Sequence, residues 1–369
     1  MGRAPRETVE RELKLAAGDR FSLPDLPGDR LEPRTLTSTY HDTPDLRLAA
    51  GGITLRHRST DETGVWQLKL PHGDARLELE IPGNGATAPG ELITLVTAHA
   101  RSEPLGRVAT LRTQRSGIRV RGIDGPLADV VVDSVTALDG PRMIGKFTEI
   151  EIELLDDNED HVLERLARRL EQAGATPTDG RPKLFQVLDV RRTEPASAPD
   201  RQAPLAAHFA ALLRVQRDAV VVHDAGTRLG RDAEELHQMR VATRRLRALL
   251  RSSRPILEET WAEGLRAELT WLGQSLGPTR DLDVLLGDLG AGAAGLDTSI
   301  RPAFEQLLDR RGDVLRRRVL GQLEDEAAHR RVALEVALDL AVRVQRKMGG
   351  EPVVKGGRTV GRQPGQLPL

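Results

Sequence analysis

The segment Glu149-Ile150-Glu151-Ile152-Glu153-Leu154 constrains its own backbone strongly. Side chains on a β-strand alternate faces with a period of two, so as a strand it sets three carboxylates on one side and three aliphatic groups on the other. Near the N-terminus, Glu10-Arg11-Glu12-Leu13-Lys14 repeats the device: Glu10, Glu12 and Lys14 share a face, while Val9, Leu13 and Leu15 take the opposite one. A lone Glu-x-Glu-x-Lys describes the wet face of an edge strand. The stretches between these two segments change that reading, because they alternate in the same way. Arg56 and Arg58 share a face, Lys69 stands against Leu68 and Leu70, and Arg76, Glu78 and Glu80 alternate with Leu77, Leu79 and Ile81. Asp129 and Asp133 fall opposite Val130 and Val132.

Candidate strands cover 8–15, 35–40, 52–58, 65–70, 76–81, 107–113, 117–122, 128–135 and 147–154, separated by Gly, Pro and Asp turns. An amphipathic helix is expected near 89–100, after Pro89, and another at about 158–173. Short strands at this spacing point to an antiparallel barrel or sandwich. A sheet with one solvated face gives the same alternation, and periodicity does not choose the inward face. A wet face accounts less well for mixed acid and base at matched positions on strand after strand. Closed with its charged face inward, the sheet makes a tunnel with two kinds of site: carboxylates for hard divalent cations, and an Arg/Lys cluster for phosphate oxygens.

A chain of 369 residues is long enough for two domains, each with its own core. The absence of cysteine excludes a disulfide framework, thiolate zinc sites and Cys nucleophiles, and it is compatible with a reducing cytoplasm. Met1–Glu10 has no apolar run of the signal-peptide kind, and no stretch approaches the roughly 20 apolar residues of a membrane span. A cytoplasmic protein is the expectation. The net charge of −1 hides an asymmetry: residues from Leu205 onward carry 26 Lys and Arg against 22 Asp and Glu, the rest 28 against 33.

Pro195, Pro199 and Pro204 mark a linker, expected at 193–204 between a domain at 1–192 and a helical one at 205–348. Helices are expected over 205–224, 231–253, 256–276, 280–290 and 301–348, the last broken near Gly321, with a disordered Gly/Pro/Arg tail at 349–369. Between 231 and 253, His237, Arg240, Arg244, Arg247 and Arg251 fall on one helical face, beside a stripe of Leu236, Met239, Thr243, Leu246 and Leu250. Arg-rich stripes are commonly just solvated. Here no acid relieves the run from Arg240 to Pro255, and the repulsion goes uncompensated without an anionic ligand. No aromatic residue interleaves the stripe, which argues against nucleic-acid binding by base stacking.

The ordered set Glu10-x-Glu12-x-Lys14, Tyr40-His41-Asp42-Thr43-Pro44-Asp45-Leu46-Arg47-Leu48, Gly52-Ile53-Thr54-Leu55-Arg56-His57-Arg58, Trp66-Gln67-Leu68-Lys69-Leu70-Pro71 and Glu149-x-Glu151-x-Glu153 resembles a CYTH domain, the triphosphate tunnel metalloenzyme family. The resemblance implies an α+β chain whose N-terminal part is an eight-stranded antiparallel β-barrel tunnel. It implies Mg²⁺ or Mn²⁺ held by Glu10, Glu12, Glu151 and Glu153, with Glu149 and Asp133 as further metal ligands. Lys14, Arg56, Arg58, Lys69, Arg76 and Arg115 are expected to grip a triphosphate. Arg181-Pro182-Lys183-Leu184-Phe185 matches a closing segment in which Lys183 binds phosphate. For Arg115 the residues alone point elsewhere, since alternation from Leu111 places Arg112 inward.

His237-Gln238-Met239-Arg240-Val241-Ala242-Thr243-Arg244-Arg245-Leu246-Arg247, followed by Trp271-Leu272, Leu276-Gly277 and Arg280-Asp281-Leu282-Asp283-Val284, resembles a CHAD domain, a helical module that binds inorganic polyphosphate. His237, Arg240, Arg244, Arg247 and Arg280 are expected to line the polyanion surface, with Arg245 and Arg251 at its margin. No second His-x-x-Arg stripe is found, so an incomplete module with weaker polyphosphate binding is expected.

The expected function is metal-dependent hydrolysis of inorganic triphosphate or short polyphosphate, the helical domain binding long polyphosphate. Glu10, Glu12, Lys14, Glu151 and Glu153 are the expected catalytic set. A non-catalytic polyphosphate adaptor is one alternative. An enzyme acting on an organic triphosphate, of the thiamine triphosphatase or class IV adenylate cyclase type, is another.

Overall fold

The computed structural model describes residues 5–314, apart from 19, 61–62, 74, 102, 156–159, 191–197, 294–296, 298, 309, 311 and 313. Contacts divide the chain between Glu194 and Pro195 into two units.

The first unit is built on one antiparallel sheet of ten strands: β1 (Arg6–Glu10), β2 (Glu12–Ala17), β3 (Gly28–Asp42), β4 (Thr54–Ser59), β5 (Gly64–His72), β6 (Ala75–Pro82), β7 (Gly106–Arg121), β8 (Pro126–Asp139), β9 (Arg142–Leu154) and β10 (Ala175–Pro177). Their order is β1-β6-β5-β4-β3-β7-β8-β9-β2-β10. The eight-stranded closed barrel expected from the sequence is therefore not what forms: the ladder has ten strands and is open. The reason lies at Arg11, which interrupts the N-terminal strand. Before it, β1 pairs with β6, Glu10 opposite Arg76. After it, β2 pairs with β9, Glu12 opposite Glu153 and Lys14 opposite Glu151. β1 and β2 are thus consecutive in the chain but far apart in the strand order, so the sheet must curl until both regions meet one short segment. The short β10 then pairs along β2 as an edge.

Short helices α1 (Arg47–Ala50), α2 (Gly90–Leu95) and α3 (Thr97–Ala100) and the longer α4 (Asp160–Gln172) accompany the sheet. The single helix expected over 89–100 is divided at Val96. The two candidate strands at 107–113 and 117–122 are one continuous strand, β7. Val162, Leu166 and Leu170 of α4 pack with Leu15, Ile118, Val120, Val130, Ile150 and Ile152, covering one face of β2, β7, β8 and β9. A second cluster joins Tyr40, Leu111, Val135, Ala137 and Leu184.

In the second unit, α5 (Leu205–Leu229), α6 (Ala233–Ser252) and α7 (Glu259–Ser275) share a core of Leu213, Val220, Leu236, Met239, Leu246, Leu250, Trp261, Leu265, Leu269 and Leu272, and α8 (Gly277–Ala293) follows. Asp232 caps α6 by accepting from the Glu234 N–H, and Glu258 caps α7 by accepting from Thr260 and Trp261. Residues 301–308 are helical; the rest of the helix expected to 348, its break near Gly321 and the 349–369 tail lie outside the described residues. Among the described residues no helix is long and apolar enough to cross a membrane.

Gly117 sits where β7 is flanked closely by both neighbours, opposite Leu31 on β3 and Val131 on β8. A Cβ there would meet the Val130 carbonyl oxygen at 2.3 Å, a backbone atom that cannot swing away. Gly117→Ala is expected to destabilise the protein by about 1–3 kcal/mol, the usual cost of overpacking, measured as a lowered urea midpoint of tryptophan fluorescence.

Candidate functional site

The polar face of the sheet encloses a cavity of about 160 Å³, lined by Glu10, Glu12, Lys14, Arg34, Tyr40, Thr54, Arg56, Arg58, Lys69, Arg76, Arg115, Glu151, Glu153, Pro182 and Lys183. All of the residues expected to be catalytic or to grip triphosphate lie on this wall. Its charges are sorted. Acids dominate where β2, β8 and β9 run together, and cations dominate across β4, β5 and β6.

The acidic side is organised by Glu151, which is 3% exposed. Its carboxylate meets Lys14 Nζ at 2.5 Å, Lys183 Nζ at 2.6 Å and Arg115 Nη2 at 2.6 Å. Burial works against its ionisation, but Lys14, Lys183 and Arg115 together hold it well below the usual carboxylate range. Burial likewise disfavours the charged forms of Lys14 and Lys183, and Glu151 foremost reverses this, raising both ammonium groups. Lys183 reaches in from a one-turn 3₁₀ helix at Lys183–Gln186 and also contacts Glu149 at 2.9 Å and Asp133 at 3.0 Å.

Glu149 and Asp133, expected as metal ligands, do not line the cavity. They are 2% and 0% exposed and serve as counter-charges: Asp133 takes Arg115 Nε at 2.8 Å and Nη2 at 2.7 Å, and Glu149 takes Lys183 and the Gln186 amide at 2.7 Å. The bidentate Arg115–Asp133 pair is a strong, directional contact. Burial opposes the Arg115 charge, but Asp133 and Glu151 raise its pKa.

Glu12, Glu151 and Glu153 bring one carboxylate oxygen each within 4.8 Å of the others. That donor set, three hard oxygens from two adjacent strands, suits Mg²⁺ or Mn²⁺. Burial, then the neighbouring Glu151, raises the Glu153 pKa, which is the signature of acids lacking enough positive charge nearby. Glu10 stands apart from this trio, hydrogen-bonded to Lys69 and sharing a contact with Glu78. Burial and Glu78 push its pKa up.

On the basic side, Arg58 Nε and Arg76 Nε are buried without a hydrogen-bond partner. Burial, then the like charges of Arg56 and Arg115, push the Arg58 guanidinium down to about 10. Burial also lowers Arg76. Both guanidinium groups are buried short of negative charge.

Arg115 turns into the cavity, while Arg112 is exposed. Alternation from Leu111 misplaces it because the cavity face is not polar throughout. Leu111, Thr113 and Arg115 share one face of β7, and the apolar cluster with Tyr40 and Leu184 occupies part of it. Arg34, Tyr40, Thr54 and Pro182 also line the cavity and were not expected there. Arg34 lies an even number of residues from Tyr40 in unbroken register, on the same face of β3, but just outside the strand expected over 35–40. Tyr40 and Thr54 lay inside recognised motifs, and their neutrality hid them.

In the second unit, His237, Arg240, Arg244, Arg247 and Arg280 line one hollow of about 420 Å³, with Val241, Thr243, Thr270, Gly273 and Gln274. Leu236, Met239, Thr243, Leu246 and Leu250 are all buried, so the two stripes of α6 separate as expected. Arg240 Nη1 donates to the Gly273 carbonyl at 3.0 Å. Arg240, Arg244, Arg247 and Arg280 form no ion pair among the described residues. Arg245 and Arg251 lie outside the hollow. Thr270 and Gln274, from α7, carry no charge and were not singled out.

The CYTH domain family matches residues 8–179 and the CHAD domain family residues 211–354. The chain therefore carries a CYTH domain followed by a CHAD domain. An uncharacterized protein of Mycobacterium tuberculosis, matched in strains CDC 1551 / Oshkosh and H37Rv, is 34% identical over 272 residues, covering 68% of this chain and 52% of the relative. The chain thus spans about half the length of these curated relatives. Among solved structures, an adenylate cyclase candidate from Bacillus halodurans overlaps 49% of this chain and 97% of its own, at 18% identity and a TM-score of 0.36. An adenylyl cyclase candidate from Hippeastrum, reported to have a dominant triphosphatase activity, overlaps 50% and 98%, at 17% identity and a TM-score of 0.29.

Removing the Glu151 charge leaves Lys14, Lys183 and Arg115 buried around a neutral group. Glu151→Gln is expected to cost about 3–5 kcal/mol at neutral pH, as for a broken buried ion pair. Because the folded-state pKa is depressed, the stabilisation is present above the ordinary value of 4.5 and is lost as pH falls below it. The gap between wild type and variant in urea melts should therefore narrow on acidification below 4.5.

Proposed function

We propose that the first unit is a divalent-metal-dependent triphosphatase acting on inorganic triphosphate or short polyphosphate. The observation that carries this reading is the pair of buried, partnerless Nε atoms of Arg58 and Arg76 in a cavity whose other wall gathers Glu12, Glu151 and Glu153. Phosphoanhydride hydrolysis asks little covalent chemistry of a protein; it asks that the phosphates be held in line and their charge balanced. Arg56, Arg58 and Arg76 supply donors for phosphate oxygens, and the planar guanidinium favours paired contacts. Lys14, bonded to Glu151 and 3.4 Å from Glu12, stands at the boundary between the two walls. Glu12, Glu151 and Glu153 would hold Mg²⁺ or Mn²⁺, which when bound supplies charge neutralisation on phosphate oxygens and a more acidic water. Among the described residues the one aromatic ring on the wall, Tyr40, accepts a hydrogen bond from Arg56 at 3.2 Å and has that guanidinium over its face, 5.9 Å from the ring centre. It offers no free platform for a nucleobase or thiazolium, which ranks nucleotide and thiamine substrates lower.

The test is phosphate release from triphosphate, longer polyphosphates, ATP and thiamine triphosphate, each with Mg²⁺ and Mn²⁺. Inorganic triphosphate is expected to be the best substrate. The Glu10→Ala, Glu12→Ala double variant should fall to about one-hundredth of the wild-type rate or less; full activity in that variant sinks the metal assignment.

For the second unit we propose binding of inorganic polyphosphate at the α6–α7 hollow, since its arginines form no ion pair among the described residues. The Arg244→Glu, Arg247→Glu variant is expected to weaken binding about tenfold or more at low salt, the scale of one or two lost charge-assisted contacts. Calorimetry with long polyphosphate reads this, and duplex DNA added as competitor should displace it poorly. Polyphosphate binding without turnover of any substrate favours the adaptor reading instead.

A further inference from the structure

One row of side chains crosses four strands of the sheet at matched register: Tyr40 on β3 is opposite Arg56 on β4, Arg56 opposite Gln67 on β5, and Gln67 opposite Glu80 on β6. Cross-strand neighbours on one face stand close enough for direct contact, and here each contact is a hydrogen bond. Arg56 Nε donates to Gln67 Oε1 at 2.7 Å, Gln67 Nε2 donates to Glu80 Oε1 at 2.5 Å, and Arg56 Nη1 donates to the Tyr40 hydroxyl at 3.2 Å. Gln67 is 3% exposed and, with Glu80, lies off the cavity lining that Arg56 reaches.

We propose that Gln67, oriented by Glu80, is a neutral clamp that positions Arg56 for an anionic ligand without neutralising it. This rests on the phosphate-gripping reading of the cavity. A guanidinium has donors only, so Gln67 must turn its oxygen toward Arg56 and its amide NH₂ away. The NH₂ then needs an acceptor, and Glu80 provides one. The carboxylate thereby fixes which way round the amide sits, at one remove from the cation. The contrast with four of the other cations is informative. Lys14, Lys69, Arg115 and Lys183 each bond a carboxylate directly, so an anion entering near them competes with an internal one. Arg56 is held instead by an amide and a phenol, and the nearest carboxylate oxygen, on Glu78, is 4.0 Å from Nη2. Its charge stays available to a phosphate oxygen while two of its nitrogens are fixed. A glutamate at position 67 would still accept from Arg56 and would cancel its charge, while losing the donor that Glu80 accepts from.

The experiment measures triphosphate binding by calorimetry and, in parallel, KM and kcat for its hydrolysis. The proteins compared are wild type, Gln67→Glu, Gln67→Leu, Glu80→Gln and, as reference for loss of the cation, Arg56→Ala. Gln67→Glu is expected to weaken binding and raise KM about tenfold, with kcat changed by less than about threefold, because an ion pair now competes with substrate. Gln67→Leu should approach Arg56→Ala. Glu80→Gln, at a partly exposed position that tolerates change, should show a smaller loss in the same direction. Binding by Gln67→Glu and Glu80→Gln indistinguishable from wild type overturns the clamp. Binding without hydrolysis in wild type overturns the triphosphatase reading and leaves the clamp judged by the binding series. No triphosphate binding by wild type overturns both.

Discussion

Glu151 is a carboxylate with almost no contact with water, and it stays ionised because three cations surround it. Burying an ion costs several kcal/mol even after relaxation, so such a group survives only where geometry returns the loss. The strand register returns part of it, by setting Lys14 directly opposite Glu151. The remainder comes from Arg115, two strands away on β7, and from Lys183, delivered by a 3₁₀ turn well beyond the sheet's last long strand. Lys183 meets Glu151, Glu149 and Asp133 together, so it fastens the end of the first unit onto β8 and β9. Assembly of the sheet and assembly of the cavity are consequently one process. A sheet lacking any of these strands would leave an uncompensated charge inside.

The interruption at Arg11 has a chemical consequence as well as a topological one. Glu10 and Glu12 belong to one short motif, yet Glu10 ends β1 beside β6 and joins Lys69 and Glu78, whereas Glu12 begins β2 beside β9 and joins Glu151 and Glu153. The motif therefore straddles the acidic and basic walls. The donor trio comes from adjacent strands at fixed register, and Glu10 is the carboxylate that balances the basic wall. The two acids, spaced by a single residue, face different electrostatic surroundings.

Period-two alternation put many of the cavity's charged residues on shared faces, Glu151 and Glu153 on one strand and Arg56 and Arg58 on another, while the choice of the inward face, and Arg115 and Lys183, came from the resemblance to the CYTH family. The same rule failed where faces are mixed. Leu111 shares a side with Arg115, because part of the cavity face is filled by an apolar cluster, and an apolar residue is then a poor marker of the outer side. Asp133 and Glu149 looked like further metal ligands because a carboxylate's partner is decided by three-dimensional neighbours. Lys183 and Arg115, distant in sequence, claim them. The open ten-stranded ladder was equally invisible, because a one-residue break at Arg11 leaves no trace in hydrophobic periodicity. The helical unit was easier to read, since α6 carries its apolar and cationic stripes at strict helical spacing and both stripes fall as that spacing dictates.

The two candidate sites treat positive charge in opposite ways. In the first cavity half of the cations, Lys14, Lys69, Arg115 and Lys183, already bond an internal acid, so a polyanion arriving beside them must displace carboxylates, and it does so at least cost when those carboxylates gain another source of positive charge. Arg56, Arg58 and Arg76 differ, fixed by neutral groups or left with a bare Nε. That arrangement favours a short, densely charged ligand that engages both walls at once. The α6–α7 hollow has no internal acid on its arginines among the described residues and is wider, about 420 Å³ against about 160 Å³. Attraction there rests on unshielded charge near solvent, which salt screens over about 10 Å. An open, uncompensated surface favours length and multiplicity of charge over shape. On physical grounds, then, the enclosed cavity favours an anion that fits its paired charges, and the exposed hollow favours the number of charges presented to it.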